Sequence, residues 1–270
     1  MSFSVLSSVY IKENPISLKN ALKSVFNQTL PPAEYILVKD GILNQELDNI
    51  ITIYKSKYPE ILKVVSIDKN VGLGKALNYG LQFCSYDLVA RMDTDDICYS
   101  ERFNKQVKFL EENQDISVVG GFIQEFNKKP GDLNQFRKLP IDSKELEEFS
   151  KYRNPLSHPS VMFRKKHVLS VGSYEDMPYF EDYYLWVKML LKGYKIANIN
   201  ESILHFRIGN DMIGRRSGIQ YIKKEFHFLK SIRALEFINF KEYYFSIITK
   251  IPLRLLPKPI LLFIYKKILR

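Results

Sequence analysis

The chain has 270 residues, 46% hydrophobic and 26% charged, which suits one generous domain or a domain with an appendage and excludes an intrinsically disordered chain. Two cysteines, Cys84 and Cys98, are too few for a disulfide-stapled scaffold and are read as reduced cytosolic thiols. The net charge is +10, yet the longest uncharged apolar run, residues 260–265, is far short of the roughly 20 residues that cross a bilayer, and no signal peptide is expected ahead of the first strand.

Residues 3–9 are predicted as a buried strand. Pro15 opens a helix whose Leu18, Leu22, Val25 and Phe26 fall at helical spacing. A second strand, 35–38, runs into Lys39-Asp40-Gly41. Leu47, Ile50, Ile51 and Tyr54 mark the next helix, and 64–67 a third strand. Residues 72–84 form a helix with Ala76, Leu77, Gly80 and Leu81 inward. A fourth strand, 88–92, runs into Asp93-Thr94-Asp95-Asp96. Ser100 is the expected cap of a helix that turns Phe103, Val107 and Leu110 inward, and 118–126 is a fifth strand. Such strand–helix repeats predict an α/β fold, Rossmann-like, with a mostly parallel central sheet covered on both faces and a ligand site beyond the carboxyl ends of the strands. The second half is more mixed: a turn at 128–131, a short helix 146–152, a strand 160–163, a helix 182–192 stopped by Gly193, a strand 203–206 and a long helix 218–237.

Three carboxylates, Asp93, Asp95 and Asp96, lie within four residues directly after the apolar Leu88-Val89-Ala90. Like charges this close repel and need a cation or a base. A hard divalent ion completed by substrate phosphates satisfies them, and a solvated turn is the competing reading. Arg91 is near enough to offset some charge but is expected to point to the other face. Asp40 ends a strand before Gly41, where a carboxylate can accept a nucleobase N–H or form a turn. Gly72 and Gly74 stand at a loop-to-helix junction that lets backbone approach a ligand, with Lys75 in reach of a phosphate, but a plain loop fits equally. Glu181-Asp182 lie among aromatics at a helix start. Desolvation there raises a carboxyl pKa, which suits a general base, while a helix cap by Asp182 is the alternative.

Residues 241–270 carry seven basic residues and one acid, a surplus of six. Dense aliphatic residues alternate with these bases, which argues against a nucleic-acid partner and for an interfacial helix on anionic lipid. The competing reading is a helix pair packed on the domain with snorkelling bases. Pro252, Pro257 and Pro259 are expected to break this tail into short pieces.

Taken in order, these features resemble the family 2 glycosyltransferases, inverting enzymes of the GT-A type fold. The resemblance rests on residues 5–10, Ala21-Leu22-Lys23-Ser24-Val25-Phe26-Asn27-Gln28-Thr29, Lys39-Asp40-Gly41, Asn70-Val71-Gly72 leading to Ala76-Leu77-Asn78, Arg91-Met92-Asp93-Thr94-Asp95-Asp96, and Glu181-Asp182-Tyr183. The forms of residues 91–96, 154–164 and 206–212, ahead of Arg215-Arg216, are similar to bacterial O-antigen, capsule and exopolysaccharide (amylovoran-type) sugar transferases. The resemblance implies an inverting, metal-dependent transfer from a UDP-sugar to a polyprenyl-diphosphate-linked saccharide, giving a β-linkage. It implies work peripherally at the cytoplasmic face of the bacterial inner membrane.

By the same resemblance, Tyr10, Glu13, Asp40, Lys75, Asn78, Arg91 and Asp93 serve the donor nucleotide, and Asp95 holds Mn2+ or Mg2+. Asp182 is the base beside Glu181, and His158, Arg164 and Arg207 border the acceptor or diphosphate. Several relatives place a histidine two residues after a late arginine. Gly209 stands there in this chain, so His205 is the candidate metal ligand, or else a packed core histidine. The expected division is a catalytic domain over 1–216, with a nucleotide half to about 126 and an acceptor half from about 127, and a basic amphipathic extension over 217–270. The alternatives are a sugar nucleotidyltransferase, which would want an early glycine-rich basic loop, and a non-catalytic nucleotide-sugar-binding module.

Overall fold

The structure, a computed structural model, describes residues 1–208, 214–257 and 260, with Arg215 described by its backbone alone. Gly209, Asn210, Asp211, Met212, the Arg215 side chain, Lys258, Pro259 and residues 261–270, singled out above, lie outside the described residues.

Strands β1 (Phe3–Val9), β2 (Glu34–Asp40), β3 (Leu62–Ile67) and β4 (Leu88–Arg91) pair in parallel in the order β3-β2-β1-β4. Helices α1 (Pro15–Phe26), α2 (Gln45–Lys57) and α3 (Leu73–Gln82) supply the crossovers. Asn14 starts α1 by accepting the Ile16 and Ser17 N–H groups, and Asn44 starts α2 by accepting that of Leu47. Side chains alternate across the sheet: Val5 and Val9 join the layer with α1 and α2, while Leu6 joins the layer with α3. Helix α3 lies directly on the strands at Gly80, where a Cβ would come within 2.5 Å of Val38 and 2.6 Å of Leu6.

The second half extends this sheet with mixed pairing. Strand β5 (Ile97–Cys98) is followed by α4 (Arg102–Glu112), β6 (Ile116–Phe126), β7 (Gln135–Arg137), α5 (Ser143–Ser150), β8 (Met162–Arg164) and α6 (Lys165–Ser170). Then come α7 (Glu181–Leu191), β9 (Lys195–Arg207), α8 (Gly218–Ala234) and α9 (Phe240–Leu255). The order continues β4-β8-β6-β9-β5, with β7 on β6. The short strands β5, β7 and β8 pair antiparallel, while the long β6–β9 pair is parallel. Residues 92–96 therefore join strands that β8, β6 and β9 separate. Four strand spacings of about 4.8 Å nearly exhaust the reach of so short a loop, so a flat sheet would stretch it taut. Register shifts in the β6–β9 pair bend the sheet, and β5 returns to α1, where Cys98 N–H donates to Ser24 Oγ at 3.0 Å.

Several expectations need correction. Ser100 does not cap α4: the Arg102 N–H bonds the Tyr99 carbonyl at 3.1 Å, so the turn carries the cap to Glu101, which makes no side-chain bond. Strand β9 begins eight residues before the expected 203, because β6 offers it a partner along its whole length. Helix α8 stops at Ala234. Glu236 takes φ +61°, and the Phe237 and Glu236 N–H groups close on the Ile232 and Arg233 carbonyls, so the chain reverses. Pro252 sits inside α9 without breaking it: the carbonyl left unpaired belongs to Ile248, which is exposed to water. Helix α7 ends as read, with Gly193 at φ +81°. A third core joins Phe180, Tyr183 and Val187 near α7 to Phe228 and Ile232 of α8, with Tyr243 and Ile247 of α9 against it.

Candidate active site

The carboxyl ends of β1, β2 and β4 open into a cavity of about 1090 Å³. Tyr10 and Glu13 follow β1, Asp40 ends β2, and Asp93 and Asp95 follow β4. His158, Glu181, Asp182 and Arg207 line it from the second half, and α9 closes its far wall.

Carboxylate oxygens of Asp93, Asp95 and Asp96 lie within 4.8 Å of one another. Asp96 is fully buried; one oxygen accepts the Arg207 N–H at 2.8 Å, and Oδ2 has no hydrogen-bond partner among the described residues. Burial, then the nearby Asp93 and Glu13 charges, pushes the Asp95 carboxyl up to about 7. Burial, then the Asp95 and Asp93 charges, raises Asp96 well above the carboxylate range. Three crowded oxygen donors, one unsatisfied, fit a hard divalent cation. Glu13, also raised by burial, accepts the Thr94 hydroxyl at 2.7 Å and so stands beside this cluster.

Arg91 corrects the expected orientation. Its Nη2 lies 2.5 Å from Asp93 Oδ1, because Met92 N–H still completes the ladder to the Leu6 carbonyl and Met92 packs in one layer with Leu88 and Ala90, so residues 91 and 93, two apart, share the other face. This guanidinium is 1% exposed and acts electrostatically on Asp95, Asp96, Glu181 and Asp182 together. Asp182, in the first turn of α7, accepts the Asn154 amide at 2.7 Å, and burial raises its pKa. Phe180, not Asp182, occupies the cap position. Burial and the Asp182 charge bring Glu181 to about 7, with Oε2 unpartnered among the described residues. His158 bonds the Tyr174 hydroxyl at 2.9 Å and is held neutral by burial and Arg91.

Asp40 lines the cavity, but it accepts Val71 N–H at 2.7 Å, Gly72 N–H at 3.1 Å and the Asn70 amide at 2.9 Å. It thereby pins the loop before α3. Gly41 is required there, since φ is +90° and a Cβ would lie 2.8 Å from Asn70 N.

Four candidates fall elsewhere. Lys75 pairs with Asp176 at 2.7 Å on the exposed surface. Asn78 faces residues 173–174, accepting the Ser173 hydroxyl and Tyr174 N–H, so it tethers that loop. Arg164 pairs with Leu88 at the start of β4, the opposite end of that strand from the acids, and donates to the Ile116 and Leu110 carbonyls. His205 stacks on Tyr99 at 4.1 Å and stays out of the acidic cluster. Arg207 instead fastens the acid loop, donating Nε to the Asp95 carbonyl at 2.9 Å and stacking on Phe126 at 4.5 Å. Asn154 carried no role in the sequence reading, and the α9 residues were read toward lipid rather than toward this cavity, whereas Asp96 was counted with the acid cluster and Arg216 with the late arginines on the diphosphate or acceptor side. Asn154 had a signal as a member of the quoted segment 154–164.

Residues 4–171 match the family model "Glycosyl transferase family 2". The chain is 37% identical over 265 residues to the amylovoran biosynthesis glycosyltransferase AmsE of Erwinia amylovora, covering 98% of both. It is 38% identical over 272 residues to the UDP-Gal:alpha-D-GlcNAc-diphosphoundecaprenol beta-1,3-galactosyltransferase of Escherichia coli, covering 99% of this chain and 96% of that one. Among solved structures it resembles the mannosyltransferase PcManGT from Pyrobaculum calidifontis in complex with GDP-Man and Mn2+, with TM-score 0.65, 16% identity, and 86% and 65% of the two chains covered. The fold is thus the GT-A type, and the chain belongs to the family 2 glycosyltransferases, enzymes of sugar transfer.

Proposed function

We propose that this glycosyltransferase moves a sugar from a UDP-sugar to a polyprenyl-diphosphate-linked saccharide during bacterial surface polysaccharide synthesis, with inversion to a β-linkage. One observation carries the reading: a single cavity brings the Asp93–Asp95–Asp96 cluster and the Glu181–Asp182 pair together. Full-length similarity to a galactosyltransferase named for a diphosphoundecaprenol acceptor supports the substrate classes.

The donor lies at the strand ends. Asp40 and Tyr10 border its nucleoside, and Arg207 holds the acid loop in register. Asp93, Asp95 and Asp96 would hold Mn2+ or Mg2+, which supplies charge stabilisation for the departing diphosphate. Asp182 takes the proton of the acceptor hydroxyl as that oxygen attacks the anomeric carbon and the bond to UDP breaks. Its raised pKa brings its basicity closer to neutrality, and Asn154 fixes which oxygen faces the acceptor. Arg91, beneath both sites, keeps two sets of acids in one small volume.

No helix among the described residues is long and apolar enough to cross a membrane. Phe240, Tyr244, Ile248 and Leu255 are exposed along one stripe of α9, which supports peripheral membrane contact, and the anionic cytoplasmic face is the surface proposed for it. The test is incubation with a panel of UDP-sugars, Mn2+ and a synthetic sugar-diphosphate-lipid. UDP release with a lengthened, β-linked lipid-saccharide is expected. Pyrophosphate release from UTP and a sugar phosphate would mean nucleotidyl transfer instead.

A further inference from the structure

Beyond Asp182 the cavity runs on to a wall built by α8, α9 and the segment after α5. Arg153, Arg216, Lys250 and Arg254 line it, with Glu225 as the acid among them. Arg254 is committed to Glu225, at 2.8 and 3.0 Å, and lies over the Tyr221 ring at 4.8 Å. Glu225 is 2% exposed, so this clamp is a fixed part of the wall. Lys250 makes no hydrogen bond or ion pair among the described residues, although Glu225, Arg254 and Arg153 all act on it electrostatically. Burial first, and then the two arginines, pushes its ammonium down to about 8 against the attraction of Glu225. Both Glu225 oxygens are already taken by Arg254, so the Lys250 ammonium has no anion of its own among the described residues. The order along the cavity is readable from the same interactions. Arg216 acts on Asp182, while Glu225 and Arg153 act on the adjacent Tyr183.

We infer that this basic wall is the subsite for the acceptor's diphosphate, with Lys250 as its principal anion-binding group. The inference rests on the sugar-transfer reading above. The donor's diphosphate belongs at the acid cluster, on one side of Asp182. The acceptor hydroxyl must reach Asp182, and the wall stands on the other side. The acceptor's diphosphate therefore lies close behind the sugar that is extended, and the lipid leaves along α9. The exposed stripe of Tyr244, Ile248 and Leu255 belongs to that same helix.

The test compares acceptors carrying one sugar on an alkyl diphosphate or on a neutral alkyl group. It uses the full chain, with Lys250→Gln and Lys250→Arg. Arg254 is avoided, because removing it strands a buried glutamate. Lys250→Gln is expected to raise the KM for the diphosphate acceptor about ten- to hundredfold, shrinking the preference over the neutral one, and Lys250→Arg to retain most of it. Calorimetric affinity for UDP with Mn2+ stays at the wild-type value. An unchanged acceptor preference overturns the inference. So does a fall in UDP affinity, which assigns the wall to the donor. Should the wild type transfer no sugar at all, the activity reading fails by itself. Titration with the alkyl diphosphate acceptor still decides the subsite: weaker binding to Lys250→Gln upholds it, and equal binding overturns it.

Discussion

Asp182→Asn tests the chemistry with the least structural disturbance. The change is isosteric, and the Asn154 amide can still donate to an oxygen at the 2.7 Å position. Because the carboxyl pKa is raised by burial, its ionised form destabilises the fold as pH climbs above the ordinary carboxylate range. The neutral amide removes that cost, so the variant should melt no lower than the wild type at neutral pH. What it loses is proton acceptance, worth about 10²- to 10⁴-fold in kcat. That is about 3–5 kcal/mol of barrier. The described bonds of Asp182 do not reach the acid cluster, so UDP affinity should hold. The assay is steady-state transfer at saturating donor, with UDP binding by calorimetry and melting by circular dichroism. A variant within threefold of wild-type kcat would refute the base assignment, and with it the argument from burial and Asn154.

Four further outcomes follow from the geometry. Burial and like charge raise Asp95 and Glu181 to about 7, so each binds its proton more tightly folded than unfolded, and metal-free stability should fall as pH rises from about 4 through about 7. Mn2+ at 100 times its dissociation constant should restore about 2.7 kcal/mol at pH 7.5, a melting shift of several degrees, and Asp95→Asn should lose most of that shift. Gly80→Ala should cost about 1–3 kcal/mol in urea unfolding, because its Cβ would press on Val38 and Leu6. Asn78→Ala should lose about 1–3 kcal/mol by releasing Ser173 and Tyr174, while UDP affinity measured by calorimetry stays within twofold.

Much of the fold is legible because burial on both sides of the parallel strands leaves period and punctuation in the sequence. Pro15 marks where α1 starts and Gly193 where α7 stops, and they do so in the structure. The acid cluster and the Glu181–Asp182 pair are legible for a related reason, since charge beside a buried strand or among aromatics demands an explanation. Other features depend on distant partners. Strand β9 takes its length from β6, and Arg164 is drawn to the carbonyls of Ile116 and Leu110. Arg91 meets Asp93 because the alternation that buries Leu88, Ala90 and Met92 in one layer runs past the end of the strand and leaves residues 91 and 93 on the other face. The role of Lys250 was hidden for the same reason. Nothing local says that the reversal at Glu236 folds a basic helix back onto the cavity, so its charge was read with the tail.

The most direct measurement is a crystal structure with UDP and Mn2+, read by the anomalous signal of manganese. The account predicts the peak among Asp93, Asp95 and Asp96, at about 2.1 Å from carboxylate oxygen, with the uracil toward Asp40 and the diphosphate facing Asp182. A nucleotide lodged away from Asp40, or a metal held by other residues, would contradict it.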